Sequence, residues 1–188
     1  MQKKKSGWRR FLPGKLGKTT PFVPVINLHG PIGRGGKFSQ SLSLASTVGQ
    51  IEKAFKFKDA AAIAVVINSP GGSPAQSNLI MRRIHQLAEE KEKPVFAFVE
   101  DVAASGGYML ALAADEIYVD PSSIIGSIGV ISAGFGYNEL IERYGVERRV
   151  YTAGTSKLKL DPFSPEKKED IRWLESLQQD IHTIFKDM

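Results

Sequence analysis

The sequence predicts an α/β protein in which a layered sheet is flanked by helices. Short apolar segments typical of strands alternate along the chain with segments of helical periodicity, and such alternation indicates strands and helices packed in layers. Residues 61–68 form a continuous apolar run between turn signals, which favours a central strand covered on both faces. Glycine-rich turns follow two of the predicted strands, and the ligand site of an open α/β sheet is expected at such carboxyl ends.

The predicted elements follow one another from residue 22 to the C-terminal segment. Strands are predicted by apolar runs between turn residues; they cover 22–30, 61–68, 95–100, 116–120, 124–132 and 147–152. Helices are predicted by apolar residues at helical spacing; they cover 44–55, a segment of about 16 residues ending at 90, 106–114, 139–144 and the C-terminal segment. That last helix is predicted to have Ser164 as its N-cap and Pro165 at its first position. Its apolar side is formed by Ile171, Leu174, Leu177, Ile181 and Ile184.

Composition limits the chemistry that the chain can perform. The 188 residues, 42% of them hydrophobic, fit one α/β domain over 22–188 with a real core. The chain has no cysteine, which excludes a thiol nucleophile, a thiolate metal site and a disulfide framework. There is neither a phosphate-binding loop motif nor a cluster of metal-ligand residues, so no cofactor and no metal are expected.

The positive charge is concentrated at the N-terminus. Residues 1–20 carry seven basic residues and no acid, so the rest of the chain sums to −2 although the whole chain carries +5. We therefore interpret 1–21 as a basic, disordered arm, with a peripheral contact of Trp8, Phe11 and Leu12 with anionic lipid as the alternative. Nucleic-acid binding is not expected, because no basic stripe follows in the body.

Nothing in the sequence is apolar enough to be a membrane span or a signal peptide. The longest apolar run covers residues 60–67, whereas a span needs about 20 residues. The basic N-terminus is not followed by an apolar segment. The predicted location is the cytoplasm, with a peripheral contact at the inner membrane as the further possibility.

Ser105 is the candidate nucleophile. It follows a predicted strand and opens a predicted helix, where unpaired backbone N–H groups carry partial positive charge. Small residues surround it: Ala103, Ala104, Gly106 and Gly107. Close helix–sheet packing with Ser105 as a simple N-cap explains the same pattern equally well. The second glycine turn, 68–72, favours the catalytic interpretation, because the Gly72 N–H can be a second donor to an oxyanion.

The base that would activate the serine is less apparent. His29, His85 and His182 each occupy an ordinary place at a strand end or in a helix, and none follows the serine in a strand-end loop. A lysine can replace histidine if its amine is taken out of water, because desolvation disfavours the charged form. The loop 153–163 carries Lys157 and Lys159 among apolar residues. Solvent exposure is the simpler expectation for either lysine.

Four motifs, taken together, resemble the signal peptide peptidase A (SppA) family. They are "INSPGG", "EDVAASGGYM", "GSIGV" and "AGTSKLKLDPF", in this order, and the resemblance covers residues 22 to 186. This family consists of serine–lysine proteases with a crotonase and Clp-protease type of fold, and the closest likeness is to its short, single-repeat bacterial members. The resemblance implies Ser105 as nucleophile and Lys157 as general base. It further implies Gly72 and Gly106 in the oxyanion hole and Ser127 as the residue that orients the lysine.

The resemblance also implies a homo-oligomeric ring whose working site takes its serine and its lysine from neighbouring protomers. Peptides such as signal-peptide remnants, or unfolded or membrane-released chains, are then the expected substrates. Family members usually continue with another strand and helix, whereas this sequence stops at Met188, so we expect either a fragment or a C-terminally shortened form. A crotonase-type enzyme acting on acyl-CoA and a non-catalytic ring-forming scaffold are the two alternative functions.

Overall fold

The computed structural model of the chain describes residues 21–33, 41–154 and 157–188. The arm predicted at 1–21 therefore lies, except for its last residue, outside the described residues. Two compact units are distinguished, Met1–Gly126 and Ser127–Met188, and each is described by itself.

A parallel sheet forms the first unit, as predicted. Its strands are β1 (Val25–His29), β2 (Ile63–Ser69), β3 (Val95–Ala104), β4 (Glu116–Val119) and β5 (Ile124–Gly126). The order is β1-β2-β3-β4, and β5 pairs with the last residues of β3, beyond the part that pairs with β4. The central place predicted for 61–68 is confirmed, because β2 pairs with β1 on one side and β3 on the other. Most side chains of β2 are buried, as its continuous apolar sequence requires.

In the described part of this unit, three helices follow strands: α1 (Leu44–Phe55), α2 (Pro74–Lys91) and α3 (Gly106–Ala111). The Ser43 side chain caps α1 and that of Ser73 caps α2, which has Pro74 at its first position. The apolar sides of the helices pack on the sheet, and the shared core includes Ile26, Ile51, Ile67, Ile80, Ile84 and Leu110. The layered α/β prediction is thus confirmed.

The sheet surface that carries aromatic side chains is only partly covered. Phe98 and Tyr118 stack there with ring centroids 5.2 Å apart, and both remain exposed. Tyr118 donates a hydrogen bond of 2.6 Å to Glu116, and this bond to a carboxylate raises the pKa of the phenol.

The described residues of the second unit form two helices, α4 (Asn138–Arg143) and α5 (Lys168–Lys186). The strand predicted over 124–132 stops at Gly126, because Gly126 and Ser127 adopt φ values of 112° and 55° that end the extended backbone. The strand predicted over 147–152 is wrong for the described chain: these residues have no ladder partner and lie exposed.

The predicted start of the last helix is also wrong. α5 begins at Lys168 with Lys167 as its N-cap, not at Ser164 and Pro165. The Ser164 hydroxyl donates to Asp161 at 2.7 Å, and the Ser164 N–H donates to the Asp161 carbonyl at 3.2 Å. Ser164 therefore closes a turn with the lysine loop instead of capping the helix.

Among the described helices, none combines the length and the apolar character that crossing a bilayer requires.

Candidate active site

Ser105 lies in a strained turn between a strand and a helix. β3 runs to Ala104 and α3 begins at Gly106, so the predicted position of the serine is confirmed. Its backbone has φ 52° and ψ −120°, a conformation that costs a non-glycine residue about 1–3 kcal/mol. Such a turn exposes a side chain at the end of a sheet, as in the nucleophile elbow of serine hydrolases.

The Ser105 hydroxyl is not used to cap α3. Ser105 occupies the N-cap position, but its side chain makes no capping hydrogen bond. Its N–H donates instead to the Gly126 carbonyl at 2.7 Å, which fixes the turn from β5. The interpretation of Ser105 as a simple N-cap therefore loses its main support. The next backbone N–H donor along the chain is that of Gly106.

The second glycine turn packs directly against the serine turn. Gly71 has φ 91°, and a Cβ at this position would lie 2.6 Å from the Ala104 carbonyl oxygen and 2.7 Å from the Gly106 nitrogen. The same Cβ would lie 3.0 Å from the Ser105 Cβ. Any side chain at Gly71 would thus push the two turns apart, so glycine is required for their close approach.

The Gly72 N–H points away from the backbone that holds its turn. The Gly71 carbonyl accepts a hydrogen bond of 2.8 Å from the Ile32 N–H. Since a trans peptide unit directs its C=O and N–H to opposite sides, the Gly72 N–H points away from Ile32. In the described parts of the chain, neither the Gly72 N–H nor the Gly106 N–H donates to an acceptor. Two uncommitted donors therefore lie on two adjoining turns.

Sequence reasoning missed the residues that support these turns. Ser69 is fully buried, and its Oγ accepts the Gly71 N–H at 3.2 Å. Ser77, also buried, lies against Gly106, where a Cβ would collide with its Oγ. The Ile32 backbone forms a parallel bridge with Gly72. The signal in the sequence was a single apolar residue, Ile32, between Pro31 and Gly33 shortly after β1.

Ser127 and Lys157 both belong to the second unit. Ser127 has φ 55° and is exposed, and Lys157 is exposed as well. Within the described residues, neither side chain takes part in a hydrogen bond or an ion pair. The role of Ser127 in orienting the lysine stays a prediction.

The two candidate lysines differ in their surroundings. Lys159 is half-buried, and its Nζ lies 4.7 Å from the ring centroid of Trp173 in a cation–π contact. That contact occupies Lys159 within the unit. Lys157 has no comparable contact among the described residues, so it is the lysine whose amine remains available.

The loop that carries Lys157 is held on its C-terminal side. Leu160 has φ 51°, and its N–H donates to the buried carboxylate of Asp170 at 3.3 Å. Asp161 pairs with Arg148 and accepts the Ser164 hydroxyl. A cavity of about 830 Å³ lies between this loop and residues 132–138.

Two of the three histidines are engaged elsewhere. His29, at the end of β1, has its Nε2 3.3 Å from Glu100, and His85 has its Nε2 3.3 Å from Glu89 on α2. His182 is half-buried on α5. These positions agree with the ordinary places predicted for them.

A serine in a strained strand-to-helix turn beside uncommitted backbone donors is typical of hydrolases that use a serine nucleophile. Residues 87–188, a range that contains Ser105, Ser127 and Lys157, match the model of Peptidase family S49. The chain belongs to this family, and the resemblance drawn from the four motifs is confirmed.

Two relatives illustrate how the chain compares with longer proteins. It is 60% identical over 181 residues to a Brucella melitensis protein named Na(+)/H(+) antiporter NhaA, covering 96% of this chain and 25% of that protein. It is 31% identical to the chloroplastic serine protease SPPA of Arabidopsis thaliana, covering 98% of this chain and 28% of that protein. The chain thus spans about a quarter of the length of these relatives.

A solved structure with similarity is that of the 1510-N membrane-bound stomatin-specific protease. It is 24% identical with a TM-score of 0.45, and the match covers 64% of this chain and 52% of that one.

Proposed function

We propose that the chain is a serine endopeptidase of the signal peptide peptidase A type that works through a Ser105–Lys157 dyad. One observation carries this proposal: Ser105 stands in a strained turn, with its hydroxyl not used for capping, beside the uncommitted N–H groups of Gly72 and Gly106. Strain of this kind persists only where the surrounding structure enforces it, and it concentrates at functional sites.

Each residue has a defined chemical role in the proposed reaction. The neutral Lys157 amine accepts the Ser105 proton as the Oγ attacks a peptide carbonyl carbon. The N–H groups of Gly72 and Gly106 hold the negative oxygen, an interaction worth about 3 kcal/mol for each donor. The lysinium then protonates the leaving amine, and water activated by the same lysine releases the acyl group as a carboxylic acid. The reaction uses no metal and no organic cofactor.

Assembly completes the proposed site. An amine serves as a base only in its neutral form, and removal from water favours that form. Lys157 is exposed in the single chain. We therefore assign its burial to a neighbouring copy in a homo-oligomeric ring, which brings the lysine of one protomer to the serine of another, with Ser127 orienting it.

The substrate class follows from the small residues around the nucleophile. Gly71, Gly72 and Ala104 leave little bulk beside Ser105, so an extended peptide with small or apolar residues before the cut fits best. Signal-peptide remnants and unfolded or membrane-released peptides have these properties.

Labelling with a fluorophosphonate tests the nucleophile directly. The assembled chain should react at one serine, located by mass spectrometry of the digested protein, and Ser105→Ala should lose the label while keeping its thermal unfolding temperature. Ser123→Ala is the matched control, because Ser123 is a serine of the same unit whose hydroxyl donates to the Glu100 carbonyl. Labelling that persists in Ser105→Ala contradicts the assignment.

A further inference from the structure

Ile32 lies just beyond β1 and touches both turns of the proposed oxyanion site. It is 4% exposed, although it belongs to no helix or strand. The geometry points to Ile32 as the positioning residue that sets the separation of the Gly72 and Gly106 donors. This inference rests on the proposed function and adds to it a residue outside the four motifs.

The backbone of Ile32 fixes the direction of the Gly72 N–H. Its N–H donates to the Gly71 carbonyl at 2.8 Å, and its carbonyl accepts the Ser73 N–H at 2.8 Å. These two bonds form a parallel bridge around Gly72. Rotation of the Gly71–Gly72 peptide would break the first bond, so the bridge holds the Gly72 N–H on the side away from Ile32.

The bridge is itself supported from the opposite side. Ile32 forms a second parallel bridge with Leu42, in which the Gly33 N–H donates to the Leu42 carbonyl and the Leu42 N–H donates to the Pro31 carbonyl, both at 2.8 Å. Ile32 is therefore the middle of three short extended segments. Such a segment cannot shift without breaking hydrogen bonds on both sides.

The side chain of Ile32 reaches the second donor. Its Cδ1 lies 3.3 Å from where a Cβ on Gly106 would stand, so it packs directly on that glycine. On the other turn, a Cβ on Gly72 would collide with the Ile32 carbonyl. One residue thus contacts Gly72 through its main chain and Gly106 through its side chain. A change in the length of that side chain is felt by one donor and not by the other.

Ile63, a core residue elsewhere in the sheet, is the control that distinguishes the positioning role of Ile32 from core packing alone. Ile63 is fully buried at the start of β2, whereas the glycine turn follows the end of that strand at Ser69. Ile63 and Ser69 are therefore about 20 Å apart along the extended strand. Ile32→Val and Ile63→Val each remove one buried methyl group, so both should lower the unfolding temperature by a similar amount.

The experiment compares these two variants in the full chain. kcat and KM are measured with a fluorogenic peptide, and Ki with a peptide aldehyde whose carbonyl adds to Ser105 and places an oxyanion in the site. Ile32→Val should lower kcat about tenfold and raise Ki about tenfold with little change in KM, since removal of a whole donor costs about 10²–10³ in kcat. Ile63→Val should stay within about twofold of the wild type in all three quantities.

Equal kcat losses in the two variants, or an unchanged Ki in Ile32→Val, would overturn the positioning role while leaving the peptidase assignment intact. A wild-type chain that neither hydrolyses peptide nor reacts at Ser105 would instead overturn the proposed function, and this inference with it.

Discussion

The two units of the chain differ in how much of their own apolar surface they bury. Among the described residues, nearly all buried hydrophobic side chains belong to the first unit, and Phe185 is the one buried hydrophobic residue of the second unit. In the second unit, large apolar side chains lie open instead, among them Ile131 (88% exposed), Phe135 (78%) and Tyr151 (91%). We infer that another molecule covers some of these side chains, because large exposed apolar groups that lie together mark interaction sites.

This difference coincides with a division of the proposed chemistry. The nucleophile turn and both backbone donors lie in the first unit, where glycine packing and short hydrogen bonds hold them. The proposed base lies in the second unit and is exposed. We infer that a single chain completes the serine half of the site, and that the lysine half depends on assembly.

The largest effect is expected from the base. Lys157→Ala should lower kcat by more than about 10³-fold, because the serine would lose its proton acceptor. The unfolding temperature of the single chain, in which this side chain is exposed, should stay unchanged. Lys159→Ala is the matched control: it should lose the contact with Trp173 and keep most of its activity. A larger loss of peptide hydrolysis in Lys159→Ala than in Lys157→Ala would instead assign the general base to Lys159.

Glycine substitutions compare the packing of the two units. Gly71→Ala should lower kcat about 100-fold and cost about 3 kcal/mol of unfolding free energy, because its Cβ would press on the Ala104 carbonyl at positive φ. Gly134→Ala in the second unit meets nothing within 4 Å and should change stability by less than about 0.5 kcal/mol. Chemical denaturation measures the unfolding free energy of both variants. Equal losses of unfolding free energy would contradict the proposal that the glycine turn of the first unit is packed more tightly than the second unit at Gly134.

A charge at Ile131 tests whether the exposed apolar side chains of the second unit take part in assembly. Ile131→Asp should lower the oligomeric fraction and the specific activity about tenfold, since a carboxylate resists burial in an apolar contact. Leu79→Asp places the same charge on an exposed apolar residue of α2 in the first unit and should leave both quantities near the wild type. Analytical ultracentrifugation with parallel activity assays makes the comparison, and an unchanged Ile131→Asp oligomer would remove the surface from consideration.

The last prediction concerns pH. Hydrolysis by the assembled chain should rise with pH between about pH 6 and about pH 9, because an amine base acts only after it loses its proton. A flat profile, in a variant or substrate for which chemistry limits the rate, would argue against a lysine base.

Local patterns predicted the first unit well and the second unit only in part. The strands and helices around Ser105 follow from apolar runs and glycine turns, which are properties of neighbouring residues. Apolar patterns also predicted strands over 124–132 and 147–152. The first forms only up to Gly126 and the second does not form, because a strand needs a ladder partner and the described chain provides none for those residues.

The contacts that support the candidate site could not be predicted from such local patterns. Ile32 meets Leu42 and Gly72 only after the chain has folded, and Ser69 Oγ meets Gly71 only because the turn closes on it. Ser164 looked like a helix cap, but its hydroxyl donates to Asp161 and α5 begins only at Lys168. Motif spacing could indicate Ser105 and Lys157, whereas their immediate surroundings are formed only by the folded chain.

The most direct test of the division between the two units is complementation between inactive chains. Ser105→Ala and Lys157→Ala are purified separately, shown to be inactive, unfolded together, refolded as an equal mixture and assayed for peptide hydrolysis. If the serine and the lysine come from neighbouring protomers, about a quarter of the sites receive both, and about a quarter of the wild-type activity should return. A mixture that assembles fully and stays inactive would contradict the shared site.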